Sequence, residues 1–92
     1  MATGPDRRYQ VEFTRPAAKE VAALSRDVQE RIILRVTALS ENPRPHGVQK
    51  LEGQTDLYRI RVGSYRVIYA IVDERLIVTV VRIADRKDVY RP

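Results

Sequence analysis

LYRIRVGSYRVIYAIV, residues 57–72, predicts two strands joined by a two-residue turn at Gly63-Ser64. Glycine suits the first central position of a type II′ hairpin turn, which requires a positive φ angle. Directly opposed residues of a hairpin share a face, so this register gives the pair one apolar and one basic face. The apolar face, which we expect to meet the core, consists of Tyr58, Ile60, Val62, Tyr65, Val67, Tyr69 and Ile71.

The basic face carries Arg59, Arg61 and Arg66, and no acidic residue lies between Asp56 and Asp73. Like charges on directly opposed residues destabilise a sheet. The cluster therefore favours binding of an anion supplied from outside. The alternative is ordinary solvent-exposed arginines whose aliphatic stems cover apolar surface.

The remaining pattern predicts a β-α-α-β-β-β order, an α+β fold with an antiparallel-rich sheet and a helical hairpin on one face. Thr14 and Asp27 are the expected N-caps of the two helices. The segment 41–54 contains two prolines and two glycines and is expected to be a loop. The predicted elements are strand 9–13, a helix from Thr14 to about 24, a helix from Asp27 to about 40, and strands 57–62, 65–72 and 76–84.

The register of the last strand stays open at the level of sequence. A three-residue turn at 73–75 directs Ile77, Val81 and Ile83 to the core and sets Arg82 beside Arg66. A two-residue turn reverses the faces.

Composition indicates one domain, residues 9–92, after a flexible leader at 1–8. The net charge of +5 and pI of about 10.0 favour a polyanion such as nucleic acid, or an acidic protein. With no cysteine and one histidine, we expect no disulfide, metal or cofactor. No apolar run is long enough to span a membrane and the N-terminus has no signal-peptide core, so the expected location is the cytoplasm.

A groove that holds several guanidinium groups can bind phosphodiesters and stabilise the extra charge of a phosphorane during RNA cleavage. Lys50 and Arg86 flank the hairpin cluster and are expected to project into the same concavity. The sequence offers few groups for proton transfer, because His46 lies in the loop and arginine is a poor proton carrier. Tyr90 is the candidate base, since nearby guanidinium groups lower the pKa of a phenol.

The run KLEG…LYRIRVGSYRVIYAIVDE…VVRIADRKDVYR resembles the RelE/ParE superfamily of bacterial toxins, and the likeness extends over residues 9–91. It implies a toxin neutralised by an acidic antitoxin that wraps around it, in a hetero-oligomer. RelE-like members are ribosome-dependent mRNA endonucleases that cut A-site codons by attack of the ribose 2′-OH. The resemblance then implies catalytic roles for Arg61, Arg66, Arg86 and Tyr90. It implies RNA or phosphate binding by Lys50, Arg59 and Arg82.

The chain departs from the RelE-like pattern in two places. RelE-like nucleases carry lysine where this chain has Arg59 and Arg61, and many relatives have histidine where it has Asp85. ParE-like members share the scaffold but inhibit DNA gyrase and are not enzymes, which leaves gyrase inhibition as the alternative function. A third possibility is a nucleic-acid-binding module without activity. Sequence leaves the codon preference, the general base and the identity of the antitoxin open.

Overall fold

The protein, in a computed structural model that describes residues 8–51, 53 and 56–85, forms a mixed sheet with a helical hairpin on one face. Across the sheet the strand order is β1-β5-β4-β3-β2, with β1 parallel to β5 and every other pair antiparallel. The elements are β1 Gln10–Phe13, α1 Arg15–Ala22, α2 Arg26–Ala38, β2 Gln49–Lys50, β3 Leu57–Val62, β4 Tyr65–Val72, a 3-10 turn Asp73–Arg75 and β5 Ile77–Asp85. The predicted α+β class is therefore confirmed.

The hairpin of β3 and β4 has the predicted bounds and register. Val62 lies opposite Tyr65 and Arg61 opposite Arg66, so the loop is two residues long. Gly63 has a φ of 62°, the left-handed value that the first position of this turn requires.

The core lies between the predicted apolar face of the hairpin and the two helices. α1 packs against β5 and α2 packs against β3. Tyr69, at the centre of β4, is fully buried, and its hydroxyl donates to the Pro43 carbonyl at 2.7 Å. The predicted core face is confirmed, with Tyr65 only partly buried at its margin.

A β-bulge settles the register of β5, and neither predicted alternative holds along the whole strand. Ile68 pairs with Arg82 and Tyr69 pairs with Val80, so Val81 is an extra residue on β5. The bulge shifts the alternation by one residue, which lets Val80 and Ile83 both enter the core.

Ser25, not Asp27, is the N-cap of α2. Ser25 has extended backbone angles, and its hydroxyl accepts from the Val28 amide at 3.4 Å. Asp27 instead lies in the first turn and pairs with Arg31 at 3.6 Å, one helical turn further on. The predicted cap was wrong by two residues because both side chains are good caps.

The predicted loop at 41–54 contains the short strand β2, where Gln49 pairs with Arg59 and Lys50 with Tyr58. A two-residue strand leaves no periodicity for sequence reasoning to detect. Of the predicted leader, residues 1–7 lie outside the described part of the chain.

Candidate functional site

Two opposed arginines form the centre of the site at the turn end of the hairpin. Arg61 on β3 is exposed, whereas Arg66 on the more central β4 is only 4% exposed. The basic face is therefore only partly open, because Arg66 near its centre is buried. The two side chains line a small cavity of about 40 Å³ beside Gly63, Ser64 and Tyr65.

A larger groove of about 300 Å³ runs along the edge of β3 and meets the small cavity at Arg61. Arg59 and Arg61 supply two of its cationic groups. The groove is lined by Arg35, His46, Gly47, Gln49, Arg59, Ile60 and Arg61. Sequence reasoning placed Arg59 and Arg61 together correctly, because alternate residues of one strand share a face.

Arg35 is the groove residue that sequence reasoning missed. Its Nη1 donates to the Arg61 carbonyl at 3.4 Å, at a point where the two-residue β2 no longer covers the edge of β3. The helical period puts Arg35 beside Ile32 and Leu39, which are buried, so it flanks the apolar stripe of α2. Its position beside the stripe was the only indication in the sequence that Arg35 lies near the core. The sequence does not show which strand the stripe packs against.

Lys50 lies on the opposite face from the hairpin arginines, whereas Arg82 lies on the same face but is paired with an acid. Lys50 lies opposite Tyr58, whose side chain faces the core, so Gln49 and not Lys50 shares the face of Arg59. Arg82 pairs with Ile68 across the sheet, and its Nε donates to Glu20 Oε2 at 3.3 Å. Ile68 and Arg66 are alternate residues of β4, so Arg82 still lies on the face of Arg66, and the predicted position is wrong for Lys50 only.

Arg86 and Tyr90 lie outside the described residues, and their assigned roles stay predictions. β5 ends at Asp85, which lies opposite Tyr65, one of the residues that line the small cavity. Within the described ranges no three His, Asp or Glu side chains gather as metal ligands do. In that same part of the chain, neither helix has the length and apolar character to cross a membrane.

The described side chains are better suited to stabilising negative charge than to moving protons. Guanidinium groups bind phosphate oxygens through paired N–H donors and stay protonated. The groove adds one imidazole, His46, which is exposed.

The family model of the ParE toxin of the type II toxin–antitoxin system parDE matches residues 11–90. The chain belongs to the RelE/ParE superfamily of type II toxins. The predicted resemblance is thereby confirmed, over nearly the same residues.

The curated relatives of this toxin are of the RelE kind. A RelE-like toxin protein of Escherichia coli is 36% identical over 87 residues, which cover 90% of each chain. The mRNA interferase toxin RelE of E. coli K12 is 33% identical over 86 residues, covering 89% of this chain and 90% of that protein.

Solved structures show the same fold. RelE in the archaeal RelE–RelB complex of Pyrococcus horikoshii superposes with a TM-score of 0.77 at 30% identity, covering 86% of this chain and 96% of that one. The intact E. coli RelBE toxin–antitoxin complex gives a TM-score of 0.75 at 32% identity, with 84% and 95% covered. The chain is therefore a RelE-like type II toxin.

Proposed function

We propose that this toxin is a ribosome-dependent endoribonuclease that cleaves messenger RNA in the A site. The observation that carries the proposal is the directly opposed Arg61–Arg66 pair beside a cationic groove. Relatives named mRNA interferase support the same reaction class.

In the proposed reaction the ribose 2′-OH attacks the adjacent phosphate and loses its proton. The new bond joins O2′ to phosphorus, and the bond from phosphorus to O5′ breaks. The products are a 2′,3′-cyclic phosphate and a 5′-OH, which takes up a proton. Arg61, Arg66 and Arg86 stabilise the phosphorane, and Tyr90 accepts the 2′-OH proton.

The toxin has few side chains that can transfer protons, and this explains why cleavage depends on the ribosome. A ribosome that holds the message for in-line attack supplies orientation, which lowers the barrier in addition to the effect of the Tyr90 base. Arg59 then holds message or ribosomal RNA, with Arg82 as a further phosphate contact. This activity places the toxin in the cytoplasm.

The partner that neutralises the toxin is an acidic antitoxin, whose extended, helix-bearing segment wraps around it. The net charge of +5 complements such a partner. Structural relatives crystallised as RelE–RelB complexes support it. The toxin and antitoxin then form a hetero-oligomer.

One observation favours a second candidate function, the inhibition of DNA gyrase. The family model that matches the chain describes ParE toxins. A ParE-like inhibitor traps gyrase and has no need of a phosphorane-stabilising pair.

Induction of the full chain in cells without antitoxin, followed within minutes by mapping of message 5′ ends, tests the proposal. We expect cuts inside codons of translated frames that disappear when translation is blocked. Growth arrest with intact message and DNA damage would establish the gyrase alternative instead.

The Arg66→Ala variant tests the assigned centre of the site. We expect it to lose growth arrest and to cut message at least 100-fold more slowly, because one preformed charge-stabilising contact is removed. Arg66→Lys keeps the stem and the charge but not the paired donors, so we expect it to remain impaired.

Arg75→Ala is the matched control, since Arg75 is exposed in the 3-10 turn at the other end of β4. It should arrest growth as the wild type does. Full toxicity of a folded Arg66→Ala protein, verified by circular dichroism, would overturn the assignment.

A further inference from the structure

We infer, building on the proposed RNase function, that Arg35 and His46 complete a phosphodiester-binding groove with Arg59 and Arg61. The groove holds the RNA backbone next to the phosphate that is cleaved. It adds a residue of α2 and a residue of the loop before β2 to a site otherwise built from the hairpin.

The charge of the groove supports an external anion. Three of its lining side chains, Arg35, Arg59 and Arg61, carry guanidinium groups, and its described lining contains no carboxylate. In the described part of the chain, Arg35 and Arg61 form no ion pair. The positive charges of Arg35 and Arg61 repel each other until an anion binds between them.

The geometry of Arg35 makes it a binding group as well as a packing group. Its bond to the Arg61 carbonyl uses one of five N–H donors on the guanidinium. That bond holds the side chain over the edge of β3, so less rotational freedom is lost when a phosphate binds.

The shared residue Arg61 connects the groove to the smaller cavity beside Arg66. A linear polymer with a phosphate at every unit can occupy both spaces at once. A binding site for a neighbouring phosphate holds the message in register, and its energy contributes to orientation at the reacting phosphate.

RNA suits the groove better than an acidic peptide does. The only large apolar residue in its lining is Ile60 among the described residues. Peptide recognition normally depends on buried apolar or aromatic anchors, whereas single-stranded RNA binds through its backbone charges in a basic groove.

His46 is the only histidine of the chain, so its imidazole gives an unambiguous NMR signal. The full-length protein is titrated with a short RNA whose 2′-O-methyl groups prevent cleavage. We expect a saturable shift of the His46 signal. We also expect Arg35→Gln to weaken binding about tenfold, the effect of one charge-assisted hydrogen bond.

Arg26→Gln is the matched control. Arg26 lies on the same helix and is exposed, and its substitution removes the same charge outside the groove. It should leave the affinity within about twofold of wild type. Arg35→Gln should also reduce the dependence of log Kd on log salt concentration by about 0.7, the value for one lost phosphate contact on a single strand.

Equal weakening by Arg26→Gln and Arg35→Gln would overturn the inference, since it indicates unspecific attraction to the whole surface. An unmoved His46 signal with bound RNA would overturn it too, as would a shift produced only by an acidic peptide.

Cleavage assays separate this inference from the proposed function. If Arg35→Gln and His46→Asn leave message cutting unchanged, the RNase proposal is retained and the inferred role of the groove is rejected. Binding at His46 without cutting of translated message preserves the groove and removes the RNase proposal.

Discussion

Arg44 fastens the loop before β2 to the turn that follows β4. Its Nη2 donates to Asp73 Oδ2 at 2.9 Å, and its guanidinium carbon lies 5.1 Å from the centre of the Tyr58 ring. The hydroxyl of Tyr9 donates to the other oxygen of Asp73 at 2.6 Å. One carboxylate thereby links the start of the sheet, the loop and the far end of β4.

The network predicts an acid-dependent loss of stability. Two hydrogen bonds lower the pKa of the Asp73 carboxyl below its ordinary value of 3.8. The bond from Arg44 has the larger effect and the bond from Tyr9 the smaller one. A group whose folded pKa is lowered contributes stability above its unfolded pKa and loses it as the pH falls through the folded value. Urea unfolding at several pH values between about 5 and 2 should therefore show a flatter profile for Asp73→Asn than for wild type.

Glu74→Gln is the control for that measurement. Glu74 is exposed on the same 3-10 turn and makes no hydrogen bond or ion pair within residues 8–51, 53 and 56–85. Its variant should follow the wild-type pH profile. Parallel profiles for wild type and Asp73→Asn would contradict the assigned role.

At the scale of elements, the start of α2 gives a sharp prediction. Ser25→Ala removes the side-chain acceptor for the Val28 amide and should lower the free energy of unfolding by about 1 kcal/mol. Asp27→Ala removes only an exposed pair with Arg31 and a favourable charge in the first turn, and should cost about 0.5 kcal/mol.

Urea unfolding of the two single variants checks the order. A larger loss for Asp27→Ala than for Ser25→Ala would restore the cap that the sequence pattern favoured.

The hairpin was predictable to the residue because a two-residue turn fixes every pair that follows it. The last strand was not, because β5 is apolar on both sides of the bulge at Val81 and its alternation gives no sign of the shift. The start of α2 was misplaced since Ser25 and Asp27 are both good caps and only the backbone angles distinguish them.

The site was predictable where it depends on strand periodicity alone. The opposition of Arg61 and Arg66 follows from the turn, but the burial of Arg66 depends on how central its strand lies in the sheet. Lys50 was assigned to the wrong face because its register is set by pairing with Tyr58. Arg35 reaches the site only through the packing of α2 on β3.

At the scale of the molecule, one core predicts one unfolding transition. Buried residues of both helices and of β3, β4 and β5 belong to a single cluster. We expect far-UV circular dichroism, which reports the helices, and tyrosine fluorescence, in a chain without tryptophan, to give the same urea midpoint.

Leu39→Ala checks the same point by perturbation. Leu39 is 1% exposed, and its truncation should lower the free energy of unfolding by about 3 kcal/mol with both probes. Separate midpoints, with the helices melting first, would show that the hairpin of helices is an independent unit.

The parallel pairing of β1 with β5 also determines when the sheet of a newly made chain can be completed. β1, at residues 10–13, leaves the ribosome well before its strand partner at residues 77–85. Until those residues emerge, the sheet has an unfilled position and the Arg66 strand lacks its neighbour β5. The sheet, including the strand that flanks the Arg66 strand, is therefore complete only after residues 77–85 have emerged from the ribosome.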